Sequence, residues 1–486
     1  VLDRRVRRLG RGGEVLLGGE PFRLLRLSTQ GSHFLDDLAA GAPADGAAAV
    51  ALAEQLSDAG ILHPVPAPRR VGRHEVDVVV PVRDDSAGAA RLLALLQSDF
   101  AGGVIVVDDG STAGEALRLD ALTSASSAVL VRQSEPGGPA SARNAARARS
   151  EAPFVAFLDA DVAPEAGWLE RLIGHFDDAG IAAVAPRAAA AGTGAVAAYE
   201  VVGSAHDLGA EPGIVGAHRR ISYVPSAALV CRRRALDEVG WFDAALAVGE
   251  DVDLLRRFEQ AGWVVRYEPR STVRHDSRAQ LGAFVRQRFR YGTSAAALEG
   301  RHPGSVAPFE GNRWAVAAVA AAGLPAVRRR WRVALWLLAT FVPTRSLRSK
   351  LQRVGDPFAS RDALRALVTA QAWTAAGLAT ALRRVWWPPA LALALLVPRL
   401  RGPIARALAV AVVARRAPAL WRASHQPDAS VDPWRALTTI GLGALDDLAY
   451  GAGVWAGCRH HRSVRAVLPR VAQGTVSPPS EPRRSR

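Results

Sequence analysis

"FVAFLDADVAP" (residues 154–164) decides the fold. The apolar run Phe154 to Leu158 reads as a buried strand that ends on two carboxylates, Asp159 and Asp161, before the chain turns at Pro164. Alternate residues at a strand end face the same way, so both carboxylates can be aimed at one spot above a sheet. Left alone they repel. A hard divalent cation, Mg²⁺ or Mn²⁺, holding phosphate oxygens would relieve that repulsion, because carboxylate oxygens suit such ions. A solvated turn accounts for a lone Asp-x-Asp equally well, so the neighbouring stretches must decide.

Working outward, residues 76–300 alternate apolar runs with amphipathic segments, the pattern of an α/β domain built on a mainly parallel sheet with helices on both faces. The expected strands are "VDVVVPV", "GVIVVDDG", "SAVLVR", "PFVAFLD" and "IAAVAP". Ligands of such sheets bind at the carboxyl ends of the strands. The residues to inspect are therefore Pro81, Val82, Arg83 and Asp84 on the first strand, Asp108 and Asp109 on the second, and Asp159 and Asp161. A carboxylate in the Asp108–Asp109 pair can accept a hydrogen bond from an imide N–H, as a uracil pocket requires. "EPGGPASARNAARAR" then offers a Gly-Gly turn and a helix whose N-terminal amides, with Arg143, suit a diphosphate; an ordinary loop and an exposed arginine fit as well. In "VGEDVDLLRRFEQAGW", Glu250 and Asp251 open a helix after Gly249, where acids are also stabilised by the helix dipole alone.

Taken in order, "VVVPVRDD", "VIVVDDGS", "GGPASARNAA", "FLDAD", "SYVPSAALVCRR", "VGWFDAAL" and "GEDVDL" resemble the blocks of glycosyltransferase family 2, nucleotide-sugar enzymes of the GT-A fold, over residues 76–295. The resemblance implies an inverting transfer with Asp109 on uracil, Asp159 on ribose and metal, Asp161 on the metal and Asp251 as general base, with Glu250 beside it. It places His275, in "VRHDSR", as a further metal or diphosphate ligand, and a divalent Mg²⁺ or Mn²⁺ as cofactor. The assignment is chemically coherent: a sugar hydroxyl needs a carboxylate within hydrogen-bond reach to take its proton, and a leaving UDP needs its charge met. "RQRFRYG" (286–292) carries Gln287, Arg290 and Tyr291 where processive members have Gln-x-x-Arg-Trp, here with Tyr for Trp, and suggests contacts to acceptor or diphosphate.

The whole chain is similar, more narrowly, to the mycofactocin-system glycosyltransferases of actinobacteria. The stretches that carry this are "VGEDVDLLRR", "YEPRSTVRHDSR", "FRYGTSAA", "HPGSVAP" and "DDLAYGAGVWAGC". That resemblance implies UDP-glucose as donor and mycofactocin, a peptide-derived redox cofactor, or its precursor as acceptor, built into a short β-linked chain. Residues 1–66 resemble a PqqD-like, winged-helix module, with two strands about a Gly-Gly-Glu-Pro turn, a helix after Ser28 or Thr29 and a second helix ending at Gly60; a peptide or biosynthetic partner is implied there. Residues 67–75 are expected to form a linker, continuing the Pro-rich "HPVPAPRR" (63–70).

The 486 residues carry a net charge of +15, but residues 301–486 hold 28 basic and 8 acidic side chains against 33 and 38 before them. The basic excess is C-terminal and almost wholly arginine, Lys350 being the single lysine. Within 301–472, Arg clusters flank uncharged apolar runs shorter than the ~20 residues of a membrane span. With Trp386 and Trp387 this favours an interfacial or short-span arrangement on the cytoplasmic side of the cell membrane, and a membrane polysaccharide or lipid-linked transferase is the alternative reading. Nucleic-acid binding is disfavoured, because the arginines lie beside apolar runs rather than between stacking aromatics on a polar face. Two cysteines, Cys231 and Cys458, are too few for a disulfide framework or a zinc site and fit a reducing compartment. No apolar segment follows the charged first residues, so no secretory signal is expected. The tail 473–486, rich in Ser, Pro and Arg, is expected to be disordered.

Overall fold

The computed structural model describes the chain apart from residues 73, 100–101, 278–279, 324–327, 425–432 and 473–486, and the tail expected to be disordered lies outside the described residues. The chain divides into two compact units. Among the described residues, one is Val1–Pro64 with Val306–Ala436 and residues 444–472; the other is Val65–Ser305 with Leu437–Gly443.

In the first unit, β1 (Arg7–Leu9), β2 (Val15–Gly18) and β3 (Arg23–Arg26) form an antiparallel sheet, of which the sequence had suggested only the β2–β3 pair. Helix α1 (Thr29–Ala39) opens where Ser28 Oγ accepts from the Gly31 N–H, the usual way a serine satisfies a free helix amide, and α2 (Ala47–Asp58) follows.

In the second unit the elements run β4 (Val76–Val82), α3 (Ser86–Asp99), β5 (Gly103–Asp109), α4 (Ala113–Ser124), β6 (Val129–Gln133), α5 (Gly138–Ala145), β7 (Phe154–Leu158), β8 (Val162–Pro164), α6 (Trp168–Ile173), β9 (Ile181–Ala191), α7 (Ala195–Gly203), β10 (Gly213–Val215), β11 (Ala228–Arg232), α8 (Arg233–Val239), α9 (Glu250–Gln260), β12 (Val264–Asp276) and α10 (Leu281–Arg301). The sheet order is β10-β12-β9-β11-β7-β4-β5-β6, with β8 paired to β12. Strands β7, β4, β5 and β6 are parallel, as are β9 and β12, while β11 enters antiparallel between β7 and β9.

Alternation along β4 divides the core. Val78 and Val80 pack with Leu92 and Leu96 of α3 on one face, while Val79 joins Phe157, Leu254 and Phe258 of α9 on the other. Each fully buried Val, Leu or Phe of this kind contributes about 1.5–3 kcal/mol. The chain runs from β4 to β5 in one direction and returns to β7 on the other side of β4. The carboxyl ends of these strands therefore flank a topological switch point, where open α/β sheets bind ligands.

The first unit continues with β13 (Glu310–Asn312), α11 (Arg313–Gly323), α12 (Arg329–Arg353), α13 (Ala359–Arg384), α14 (Trp387–Leu396), α15 (Arg401–Ser424), all of α16 (Pro433–His460) except Leu437–Gly443, and β14 (Arg470–Ala472), which pairs with β13. Leu9, Val15 and Leu17 of the N-terminal sheet pack against Leu351, Ala359 and Ala363, and Arg7 bonds Asp362 at 2.6 Å. A buried Arg383–Asp447 ion pair joins α13 to α16. The Trp386 indole donates to the Val467 carbonyl at 2.8 Å.

Candidate active site

Strand β7 ends at Leu158, and Asp159 takes up the next ladder contact, its N–H donating to the Ala227 carbonyl at 2.9 Å. The chain then turns: Val162 N–H donates to the Asp159 carbonyl, and β8 pairs with β12 so that Val162 stands opposite His275. That register brings His275 Nε2 to 3.6 Å from Asp161 Oδ1, although the two residues are 114 positions apart in sequence. The Asp159-Ala160-Asp161 turn and His275 are thus one feature, fixed by a short antiparallel pair.

Asp159 points to a different partner. Its Oδ1 accepts from Arg143 Nη2 at 2.7 Å, and Arg143 Nη1 donates to Glu250 Oε1 at 3.0 Å. Arg143 is 3% exposed and lies over the Phe242 ring. Burial works against its charge, but Asp159 and Glu250, with Asp251 behind them, more than restore it and raise its pKa. Two of the acids expected at the site are therefore joined through the arginine that the sequence had assigned to a diphosphate.

Asn144, which sequence reasoning passed over, completes the clamp. Its side chain donates to the Phe242 carbonyl at 2.7 Å and accepts from the Phe242 N–H at 3.1 Å. It thereby fixes the loop that delivers Gly249, Glu250 and Asp251. Gly249 has φ +88°, and a Cβ there would sit 3.0–3.1 Å from Ser294 and Leu298 of α10, so the approach of α9 to α10 requires glycine. Asp253, one turn on, binds His302 Nε2 at 2.9 Å and Arg257 Nε at 2.8 Å, which holds the first turn of α9 to the end of α10.

Asp251 Oδ1 accepts from the Val252 N–H at 2.7 Å. Burial first, and the neighbouring Glu250 charge second, push its carboxyl up to about 7; amide hydrogen bonds from Val252 and Ser226 and the Arg143 charge pull the other way. A carboxyl poised there exchanges protons near neutral pH, as a general base must.

The other expected residues are placed as follows. Asp108 accepts from Ser111 N–H and from Arg132 Nε, and Asp109 accepts from the Gly137 and Gly138 amides at 2.6–3.2 Å, pinning the start of α5. Val82 pairs with Asp108 across the ladder and is buried, Pro81 is half-buried, and Arg83 is exposed at the strand end. Gln287 donates to the Tyr291 hydroxyl at 2.9 Å. Tyr291 is half-buried, and desolvation of its hydroxyl, opposed by the Arg288 charge and aided by the Asp251 and Asp159 charges, raises its pKa, so it stands on the acid side of the site. Arg290 is exposed, whereas Arg288 is wholly buried, bonds Glu200, and covers Tyr291 with its guanidinium 5.7 Å from the ring centre. The inward-facing arginine of "RQRFRYG" is therefore Arg288, which helical spacing from Phe284 would have found.

Among the described residues no three His, Cys, Asp or Glu side chains are gathered closely enough to enclose a metal ion. The Asp161–His275 pair nonetheless has the chemistry for a partial site. Mg²⁺ and similar ions are commonly held by one or two protein ligands with substrate phosphates and water completing the shell.

A family model described as "Glycosyl transferase family 2" matches residues 77–209, and one described as "Glycosyl transferase family group 2" matches residues 154–398. The chain is 39% identical over 474 residues, 97% of either chain, to the pre-mycofactocin glycosyltransferase of two Mycobacterium tuberculosis strains. It is 24% identical over 302 residues to glycosyltransferase AglE of Haloferax volcanii, covering 61% of this chain and 91% of that one. Among solved structures it matches the mannosyltransferase PcManGT of Pyrobaculum calidifontis, described in complex with GDP-Man and Mn²⁺, at 19% identity and a TM-score of 0.38 over 72% and 89% of the two chains. With strands β7, β4 and β5 presenting their acids at the switch point, the two family models matched and a relative 39% identical over 97% of its length, the chain belongs to glycosyltransferase family 2 and has the GT-A fold.

Proposed function

We propose that this glycosyltransferase moves glucose from UDP-glucose, with inversion, onto the precursor of mycofactocin and extends it to a short β-linked chain. The observation that carries the acceptor is the 39% identity, over 97% of both chains, to proteins named pre-mycofactocin glycosyltransferase. The chemistry is supported by Asp251, whose carboxyl, raised to about 7, can take the proton of an incoming sugar hydroxyl. Glu250 keeps that pKa up and, through Arg143, ties the base-bearing helix to Asp159. A single base with the acceptor as nucleophile gives inversion, since no covalent intermediate on the protein is formed. Asp109 and Asp108, with Pro81, Val82 and Arg83 at the neighbouring strand end, are proposed to receive the uridine. A divalent Mg²⁺ or Mn²⁺ held by Asp161 and His275, with Asp159 alongside, would neutralise the charge of the departing UDP.

The N-terminal sheet and helices are proposed to present the peptide-derived acceptor or a biosynthetic partner. The test is mass spectrometry of products from the purified chain with a panel of UDP-sugars and the isolated precursor. Sequential 162-dalton additions from UDP-glucose are expected (the anhydrohexose increment, roughly the mass of one transferred unit). A product found only in the lipid extract would replace this acceptor with a lipid-linked one.

A separate observation favours a membrane surface as partner. Val333, Leu335, Trp336, Leu337, Leu338 and Phe341 of α12 are each more than a third exposed, and α14 buries none of its ten residues. Arg329, Arg330, Arg345 and Arg348 flank the apolar part of α12 and are exposed. No helix among the described residues is long and apolar enough to cross a membrane. A short apolar stretch with arginines at both ends suits the interface of an anionic leaflet, where the side chains snorkel to phosphate. Cosedimentation with phosphatidylglycerol vesicles, lost in Trp336→Glu/Phe341→Glu, is expected; a parent chain left in the supernatant would refute it.

A further inference from the structure

His206 is not among the residues that the motifs single out, yet the structure places it against the proposed cation side of the site. It lies between α7 and β10 in a loop that is tied down around it. The Tyr223 hydroxyl donates to the Ala205 carbonyl at 2.6 Å, and the His206 N–H donates to Ser204 Oγ at 3.1 Å. Asp207 accepts twice from Arg187, at 2.9 and 2.7 Å, and the Tyr267 hydroxyl donates to the Gly209 carbonyl at 2.7 Å. A loop anchored on both sides of one residue holds that side chain in a fixed direction.

That direction is toward His275. The two imidazole centroids are 4.6 Å apart with planes 31° from parallel, a tilted ring-on-ring contact. Tyr291 meets His206 edge-on at 6.2 Å, its hydroxyl 3.4 Å from His206 Nε2, and Tyr291 is itself held by Gln287 and Arg288. His275 Nε2 in turn faces Asp161 Oδ1 at 3.6 Å. An unsupported histidine at the end of β12 would sample several rotamers; a fixed ring against its face removes that freedom before any ligand arrives.

We infer that His206 is a positioning residue: its ring sets the tilt of His275, so that a divalent cation meets a carboxylate–imidazole pair already in place. The inference rests on the proposed reading of Asp161 and His275 as cation-facing groups. It assigns His206 no bond to the cation.

The experiment titrates Mn²⁺ into the full chain, with UDP present, and reads free Mn²⁺ by electron paramagnetic resonance, with the thermal midpoint of the metal-free protein measured alongside. His206→Ala is expected to weaken Mn²⁺ binding roughly 10- to 100-fold, the usual effect of removing support behind a ligand. His206→Phe keeps a flat ring against His275 and is expected to bind Mn²⁺ within about 3-fold of the parent, a small share of that loss. Should His206→Ala lower the thermal midpoint, Tyr223→Phe, which frees the Ala205 carbonyl and leaves both imidazoles, should weaken Mn²⁺ in the same direction. Parent-like affinity in His206→Ala would overturn the inference. Equal loss in the Ala and Phe variants would overturn it too, by showing that a His206 nitrogen is itself required. A parent chain that binds no Mn²⁺ would instead remove the reading of Asp161 and His275, a result distinct from a binding parent with unaffected variants.

Discussion

The pH dependence of transfer tests the role of Asp251 most directly. Raising its carboxyl from 3.8 to about 7 corresponds to about 4 kcal/mol against ionising it in place, with burial the larger cause and the Glu250 charge the next. If Asp251 in its charged form is the base, kcat/KM should rise about tenfold per pH unit below about 7 and level off above it. At pH 5 the rate should then be about a hundredth of the plateau. Asp251→Asn should lower the plateau by roughly 10² to 10⁴ and abolish the acid limb, with little change in donor KM. Glu250→Gln removes the like charge, so its limb should move to lower pH while most of the plateau remains. The assay is initial UDP release from UDP-glucose across pH 5–9 in buffers of constant ionic strength. A parent-like kcat in Asp251→Asn with a product of inverted configuration, or a limb unmoved by Glu250→Gln, would refute the reasoning.

The same shift has a consequence for stability. Because the folded carboxyl holds its proton to higher pH than the unfolded one, Asp251 costs stability as pH rises from about 4 to about 7; Asp251→Asn should therefore raise the thermal midpoint relative to parent more at pH 8 than at pH 4. Asp161→Ala should make UDP affinity, measured calorimetrically, equal with and without Mn²⁺, and a parent whose UDP affinity ignores the ion would remove the basis for the cation site. Arg143→Ala leaves Glu250 buried without its partner and should destabilise the chain by about 3 kcal/mol in urea unfolding, toward the low end for a broken buried pair because Asp159 is 31% exposed; a change under about 1 kcal/mol would show the clamp to be solvated.

Much of the fold was legible because its strands are short, apolar and capped by charge. Val76–Val82, Gly103–Asp109 and Phe154–Leu158 stand where the apolar runs stood. Strand β12 is not legible in the sequence, and its chemistry explains why. Pro269, Arg270 and Ser271 interrupt the run of Val and Tyr, and the pairing with β9 jumps in register between Glu268 and Thr272. Two-residue alternation cannot be read across such a bulge. Antiparallel β11, five residues long, carries no turn signal that would place it between β7 and β9.

The acids of the site were legible and their partners were not, for a reason that bears on mechanism. "DAD" and "GED" announce themselves because carboxylates at strand and helix ends are locally conspicuous. The Arg143–Glu250 bond spans 107 positions, and nothing near Arg143 in the sequence distinguishes a guanidinium facing a diphosphate from one facing two carboxylates. The structure commits it to the carboxylates, and that changes the charge balance of the proposed donor complex. Asp159, Asp161, Glu250 and Asp251 bring up to four negative charges to one end of the sheet, and Arg143 offsets only one of them. A nucleotide diphosphate adds more negative charge to the same place. Coulomb repulsion among these groups is strong at short range in a protein interior. An arginine whose single charge is already shared between two acids does little to relieve it. Under the proposed function, the relief falls to a cation at Asp161 and His275, and this is why the dependence of UDP affinity on Mn²⁺, more than any arginine substitution, measures how the donor is held.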